Sequence, residues 1–224
     1  MSDAVVLLSS GLDSVVALGT VLDEFDDVHC LTFDYGQRAR EREIEYSKRI
    51  ASHYDLVHQV IELPWLGGFG GALTDSSPLP EVDKDGLGDA PLAGKTAEAV
   101  WVPARNLVFL SIATSFAEDR SYDVIVTGFN CEEASTFPDN SSKFIESFNE
   151  LLKHATLTQP RVYAPLGHLN KVEIVRRGMV IGAPFEWSWS CYDAEPIPCG
   201  VCESCVRRKR AFELVGFTDP TKVL

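Results

Sequence analysis

Hydrophobic positions change their spacing in a regular order along this chain. Ala4 to Leu8 is an uninterrupted apolar run, as expected of a strand buried on both faces of a parallel sheet. From Asp13 to Glu24 the apolar residues Val16, Leu18, Val21 and Leu22 fall at helical intervals. Val28 to Phe33 predicts a second strand, and Ala39 to Tyr54 a charged helix with Ile44, Tyr46, Ile50 and Ala51 close to one face. Val57 to Leu63 is a third strand and Asn106 to Glu118 a further helix. Asp123 to Thr127 and Arg161 to Ala164 complete the strands, and Lys171 to Ile181 is again helical. Strand and helix alternate throughout, which predicts an α/β fold: a Rossmann-like parallel sheet with helices on both faces.

Two stretches interrupt this order. Pro64 to Ala97 is rich in Gly, Pro, Asp and Ser and has no sustained period, so it reads as a lid, a subunit-contact segment or a mobile connector. From about Pro184 the chain carries clustered cysteines, giving an expected division into an α/β unit, 1–183, and a small C-terminal segment, 184–224.

Composition narrows the class. The 224 residues, 45% of them apolar, suit one domain with a small appendage. No apolar run approaches a membrane span of about 20 residues, and Met1-Ser2-Asp3 leads directly into a strand without a signal peptide. The expected compartment is the cytoplasm. The net charge of −13 disfavours a nucleic-acid substrate, since such binding relies on a basic face; the one dense basic run is Arg207 to Arg210.

Of six cysteines, Cys30 lies inside an apolar strand and reads as core. Cys191, Cys199, Cys202 and Cys205 are spaced C-x7-C-x2-C-x2-C. Four thiolates at such spacing suit a tetrahedral, structural zinc site with no open position; disulfides or free thiols are the plainer alternative. A ferredoxin-type cluster would want a further cysteine at Lys209. Arg207 and Arg208 would offset the negative tetrathiolate, or simply form a solvated helix face.

The loop Ser9-Ser10-Gly11-Leu12-Asp13-Ser14 follows a buried strand and opens a helix. Small residues there let amide N–H groups converge on an anion, helped by the helix dipole. Ser9 and Ser14 offer hydroxyls to phosphate oxygens, and Asp13 would cap the helix and hold magnesium. On spacing alone a Ser-rich turn with an Asp cap is also a consistent reading. Gly88 to Thr96 imitates a Walker loop but has five residues between its glycines, and no strand precedes it.

Ser9 to Ser14 resembles the S-G-G-x-D-S loop of the ATP pyrophosphatases, with serine at Ser10 where the pattern has glycine. Further stretches resemble one branch, the 7-cyano-7-deazaguanine (preQ0) synthases: Phe33-Asp34-Tyr35-Gly36-Gln37-Arg38, Val102-Pro103-Ala104-Arg105-Asn106, Val126-Thr127-Gly128, Phe137-Pro138-Asp139, Asn170-Lys171 and Ser190-Cys191-Tyr192 with the other cysteines. The chain departs from the family's P-G-R-N at Ala104, and from its S-G-Y-P-D-C-R between Ser135 and Ser141.

The resemblance implies ATP-dependent conversion of 7-carboxy-7-deazaguanine and ammonia to the nitrile. It implies ATP contacts at Leu8, Ser9, Ser10, Gly11, Leu12, Asp13, Ser14, Phe33 and Gly128, with catalytic roles for Asp13, Arg105 and Lys171. Substrate contacts would come from Gln37, Arg38, Arg105, Asn106 and Asp139. Implied too are zinc on the four cysteines, magnesium with ATP, a homodimer, and no direct contact with nucleic acid or membrane. The plain structural alternatives are that Arg38 and Arg105 pair with acids, that Lys171 is a solvated helix start, and that Asp139 caps a helix beginning near Asn140. Cys131 lacks a second catalytic cysteine outside the cluster, so transfer-RNA thiolation is the weaker reading. Another amide-forming ligase, or a non-catalytic nucleotide-binding adaptor, would be separated from it by product analysis.

Overall fold

The computed structural model describes residues 2–82, 87 and 90–221. Strands β1 (Ala4–Leu7), β2 (Val28–Asp34), β3 (Val57–Glu62), β4 (Val124–Val126) and β5 (Arg161–Tyr163) form one sheet. Its order is β3-β2-β1-β4-β5, all parallel, with Ala4 of β1 opposite Val28 on one side and Val124 on the other. The chain therefore builds outward in one direction from β1 to β3, then returns and builds the other way through β4. At this reversal the connections after β1 and β4 go to opposite faces of the sheet, helix Leu12–Val21 to one and helix Ser142–Ala155 to the other. The crevice lies at the carboxyl ends of the strands, the usual ligand position in an open α/β sheet.

The helices are α1 (Leu12–Val21), α2 (Arg40–His53), α3 (Pro64–Gly67), α4 (Ala90–Val100), α5 (Arg105–Arg120), α6 (Cys131–Ala134), α7 (Ser142–Ala155), α8 (Lys171–Val180) and α9 (Glu203–Val215). Alternation along β1 assigns its neighbours to two cores. Val6 packs with Val15 and Leu18 of α1, Ile174 of α8 and Phe212 of α9. Val5 packs on the opposite face with Leu110 and Ala113 of α5 and Phe148 and Leu152 of α7. A ten-residue helix such as α1 is too short to be stable alone; burial of its apolar residues, at about 1.5–3 kcal/mol for each large side chain, holds it in place.

The elements expected from the sequence are present with ends shifted by a few residues, while α7 and α9 stand where the sequence pattern gives no helix range. The 64–97 stretch differs. It carries α3 and most of α4, whose Ala-rich composition favours helix without an apolar period. Within the false Walker stretch, Gly88 lies outside the described residues, while Gly94, Lys95 and Thr96 lie inside α4. The connector is also strapped down. Glu81 forms an antiparallel bridge with Cys202, and the Val82 amide donates to the Val201 carbonyl at 2.9 Å.

Among the described residues no single helix is long and apolar enough to cross a membrane. One bent pair, Gly94–Val100 with Arg105–Arg120, passes by length and composition; Leu110, Ala113 and Ala117 of its second helix are fully buried in the core.

Candidate active site

β1 delivers the chain into the crevice, and Ser10 turns it with a left-handed backbone, φ +57°. Gly11 is the N-cap of α1 and supplies no side-chain cap, so the first-turn amides remain available to an anion. Ser9 and Ser14 hold the loop closed: their hydroxyl oxygens lie 3.3 Å apart, and Ser14 donates to the Gly11 carbonyl at 2.9 Å. Gly128, just past β4, abuts this turn. A Cβ there would stand 2.8 Å from the Ser14 nitrogen and 3.0 Å from the Asp13 carbonyl carbon, so only glycine lets β4 approach the loop.

Two of the three positions where the chain has lost a family-pattern glycine are left-handed, Ser10 and Ala104 with φ +53°; the third, Thr136, is not. A Cβ in that region costs about 1–2 kcal/mol, partly offset by the greater freedom of glycine when unfolded. Ala104 is exposed, so Ala104→Gly isolates the backbone effect. It is expected to raise stability by about 0.5–1 kcal/mol, seen in urea as a higher midpoint with unchanged slope. A lower midpoint would refute the strain argument.

Asp13 does not cap α1. It lies inside the first turn, and its Oδ2 accepts from the Lys171 ammonium and from Asn130 Nδ2 at 3.3 Å. Lys171 is the first residue of α8, set by a capping box between Asn170 and Glu173. It is 8% exposed and also donates to Glu133 Oε1 at 2.8 Å, so the solvated-start reading fails. Asn130 caps α6, accepting from the Glu132 and Glu133 amides at 3.0 Å each. One asparagine thus positions Glu133 and touches Asp13.

Two carboxylates share one ammonium, which leaves one negative charge in excess. Burial pushes the Asp13 carboxyl up to about 6 against the opposing pull of Lys171. Burial also disfavours ionisation of Glu133, but Lys171 more than offsets it and holds this carboxyl below its ordinary value. Burial opposes the Lys171 charge as well; Asp13 and Glu133 overcome it and hold the ammonium well above its usual range. Asp13 Oδ1 and Thr127 Oγ1 are buried without a hydrogen-bond partner. An orphaned carboxylate oxygen beside an excess negative charge fits a divalent cation.

The crevice encloses about 1120 Å³, counting solvent at its mouth, and is lined by Leu8, Ser9, Gly11, Leu12, Asp13 and Ser14 among others. Phe33, Arg105, Asn106, Gly128 and Lys171 line it too. A second chamber of about 780 Å³ shares Arg105, Glu133, Asn140, Lys171, Tyr192 and Ser204 with the first, and adds Trp101, Phe137 and Asp139. Arg105 opens α5 and donates to the Tyr35 hydroxyl at 3.3 Å. Asp139 accepts from the Asn106 amide at 3.3 Å. Its carboxyl is raised by burial, with Arg105 opposing. The helix near Asn140 exists as α7, but Ser141 caps it, accepting from the Phe144 amide.

Three expected site residues stand apart from this lining. Ser10 is fully buried, and its hydroxyl has no partner. Gln37 accepts from the Tyr35 amide and donates to the Phe33 carbonyl and Glu43, locking the turn after β2. Arg38 pairs with Asp193 at 2.6 Å and donates to the Ser77 carbonyl, bracketing the connector to the cysteine segment. Asn130 and Glu133 carry no sequence-based expectation, and Tyr192 enters only within the Ser190-Cys191-Tyr192 stretch, without a role. The polar run after a buried strand, Asn130 to Glu133, was the available signal, because the crevice lies at carboxyl ends of strands.

Sγ atoms of Cys191, Cys199, Cys202 and Cys205 all lie within 4.8 Å of one another. A tetrahedral zinc with bonds of about 2.3 Å requires sulfurs about 3.8 Å apart, and Cys199 and Cys205 stand at 4.0 Å. The Asp193 and Cys199 amides approach Cys191 Sγ, and the Cys202 amide Cys199 Sγ, each at 3.4 Å. Such donors favour thiolates, so the donor set fits a metal ion. The two arginines do not serve this centre: Arg207 pairs with Glu203 and Glu132, and Arg208, 2% exposed, with Asp219.

In solved structures the fold is similar to the U34-tRNA thiolase NcsA from Methanococcus maripaludis with its [4Fe-4S] cluster. That match has a TM-score of 0.54 at 14% identity and covers 95% of this chain and 65% of that one. A 4-thiouridine synthetase–RNA complex with bound ATP matches at 0.54 and 22% identity, over 95% and 53%. These likenesses establish the fold alone. Sequence relatives are nearer. The 7-cyano-7-deazaguanine synthase of Methanothermobacter thermautotrophicus is 47% identical over 220 residues, 98% of each chain. That of Methanosarcina barkeri is 49% identical over 222 residues, 97% of this chain and 96% of the relative. The model of the family described as queuosine biosynthesis protein QueC matches residues 3–216, and the chain belongs to that family.

Proposed function

We propose that this chain is an ATP-dependent ligase forming carbon–nitrogen bonds, which converts 7-carboxy-7-deazaguanine and ammonia to 7-cyano-7-deazaguanine. The observation that carries this reading is the Asp13–Lys171–Glu133 cluster, with its ammonium buried, on the boundary of the two chambers. It lies where a nucleotide at the α1 N-terminus would meet an acceptor held beyond it.

A carboxylate is a poor electrophile because oxide is a poor leaving group. Attack of a carboxylate oxygen on the α-phosphorus releases pyrophosphate and leaves an acyl adenylate. Ammonia displaces AMP, losing a proton, and gives the amide. The amide oxygen then attacks a second ATP, again releasing pyrophosphate and losing one N–H proton. Departure of AMP with the last N–H proton leaves the nitrile.

Both adenylations are served by positioning and charge. Loop amides and the Ser9 and Ser14 hydroxyls hold the pyrophosphate portion, and Lys171 places positive charge beside the α-phosphate. Asp13, whose Oδ1 is unpartnered, would hold magnesium, which would neutralise phosphate charge. Arg105 suits a carboxylate, and Asp139 the N–H edge of a guanine-like base. The net charge of −13 supports a free base rather than RNA as acceptor. The four cysteines hold zinc in a structural role, which fixes the segment carrying Tyr192.

Mass spectrometry of the purified chain with ATP, magnesium, ammonium and the acid tests this. Two AMP and two pyrophosphate per nitrile are expected; arrest at the amide would make the chain an amide-forming ligase, and absence of turnover would remove the substrate assignment. For the metal, Cys202→Ser is expected to abolish stoichiometric zinc and to lower stability by several kcal/mol. A zinc-free variant with the parental melting temperature would exclude the structural role.

A further inference from the structure

Trp101 sits between two buried valines, Val100 and Val102, which are 5% and 3% exposed, yet its own ring is half-buried and lines the second chamber. Chain alternation has kept the largest side chain of the trio out of the core. Facing the same chamber, Phe137 presents a ring parallel to that of Trp101 within 7°, with centroids 6.1 Å apart. A closed stack in this protein looks different: Phe33 and Phe109 lie 4.1 Å apart at 8°. The longer distance is that of an offset stack, which leaves part of each ring to the chamber, and their common orientation suits a flat molecule lying parallel to both. Asp139 and Arg105 border the same chamber.

We infer that Trp101, with Phe137, is the stacking surface that selects a planar bicyclic base as acceptor, while Asp139 reads its N–H edge and Arg105 its carboxylate. The inference rests on the proposed function for the identity of that base. Stacking of a base on an aromatic side chain is sequence-tolerant but strong, and its loss weakens binding by about tenfold to a hundredfold. Trp101 therefore supplies affinity for flatness, and the two charged groups supply identity.

Titration of the full chain with 7-carboxy-7-deazaguanine and with 7-deazaguanine, followed by tryptophan fluorescence, tests this alongside turnover of the acid. Trp101→Leu is expected to raise Kd for both bases and KM for the acid about tenfold or more, with Kd for ATP within twofold and little change in kcat. Trp101→Phe should retain most of the affinity, and Phe137→Leu should repeat the loss if Trp101→Leu folds poorly. Normal base affinity in Trp101→Leu or in Phe137→Leu overturns the inference while wild-type turnover upholds the function. Trp101-dependent binding of 7-deazaguanine without turnover of the acid does the reverse. Wild-type protein that binds neither base overturns both.

Discussion

Asp13→Asn is expected to reduce pyrophosphate release at least a thousandfold while leaving the protein as stable as the parent or more so. The two effects share one cause. Asp13 is a buried carboxylate in a cluster that already has Glu133 to balance Lys171. Its carboxyl lies near 6 in the folded chain against an ordinary value of 3.8. Between those values the folded state holds a proton that the unfolded chain has lost, so stability falls as pH rises and the penalty is complete above about 6. Its size is on the order of 2–3 kcal/mol. The asparagine amide keeps an oxygen for Lys171 and removes the charge. At pH 8 the variant should melt several degrees above wild type, and the gap should narrow below pH 6 and close towards pH 4. A gap that stays constant with pH would mean that the penalty is not Asp13 ionisation.

The largest loss of stability should come from a residue remote from the chemistry. Arg208→Met is expected to cost about 3–5 kcal/mol and to lower the melting temperature by on the order of 10 °C. The guanidinium is buried, binds both oxygens of Asp219 at 2.6 and 2.8 Å, and donates to the Ser188 hydroxyl at 2.7 Å. It also donates to the Ser188 and Phe185 carbonyls and lies over the Phe212 ring. Removing it takes the counter-charge from the Asp219 carboxylate, which is 13% exposed, while the Phe185 and Ser188 carbonyls keep the Thr221 hydroxyl as a donor. Lysine should not rescue, because a point charge cannot reproduce the fork. The damage should reach the nucleotide loop, since the Trp189 amide, one residue beyond Ser188, donates to the Ser10 carbonyl at 2.8 Å. Weaker ATP binding at temperatures where the variant is still folded would register this, whereas a melting temperature within 2 °C of wild type would contradict the buried-network account.

What could be read in the sequence was what is encoded locally. β1, the Ser9–Ser14 turn and α1 follow from contiguous residues, and the cysteine spacing carries its geometry within fifteen positions. The cluster at the centre of the site is different. Lys171 meets Asp13 across 158 residues and Glu133 across 38, and only the placement of β4 beside β1 brings them together. Nothing in the neighbourhood of Lys171 distinguishes it from a solvated helix start; burial, not residue type, decides its role. Arg38 illustrates the opposite case. Its position after β2 suits a ligand contact, yet Asp193 and the Ser77 carbonyl, both far along the chain, claim its guanidinium.

The strap between the connector and the cysteine segment couples two equilibria. Glu81 and Val82 are held by Val201 and Cys202, and the Ala72 amide, earlier in the same connector, donates to the Ala99 carbonyl at 2.9 Å, two residues before Trp101. The proposed metal grip of the four cysteines and the order of the backbone before Trp101 are thereby joined. Linkage is reciprocal: whatever factor the ion adds to affinity for the acceptor, the acceptor must add to retention of the ion. The rate at which a chelator strips the ion then becomes a gauge of chamber occupancy that needs no turnover, and a cell short of the metal would lose its last ions from idle copies first.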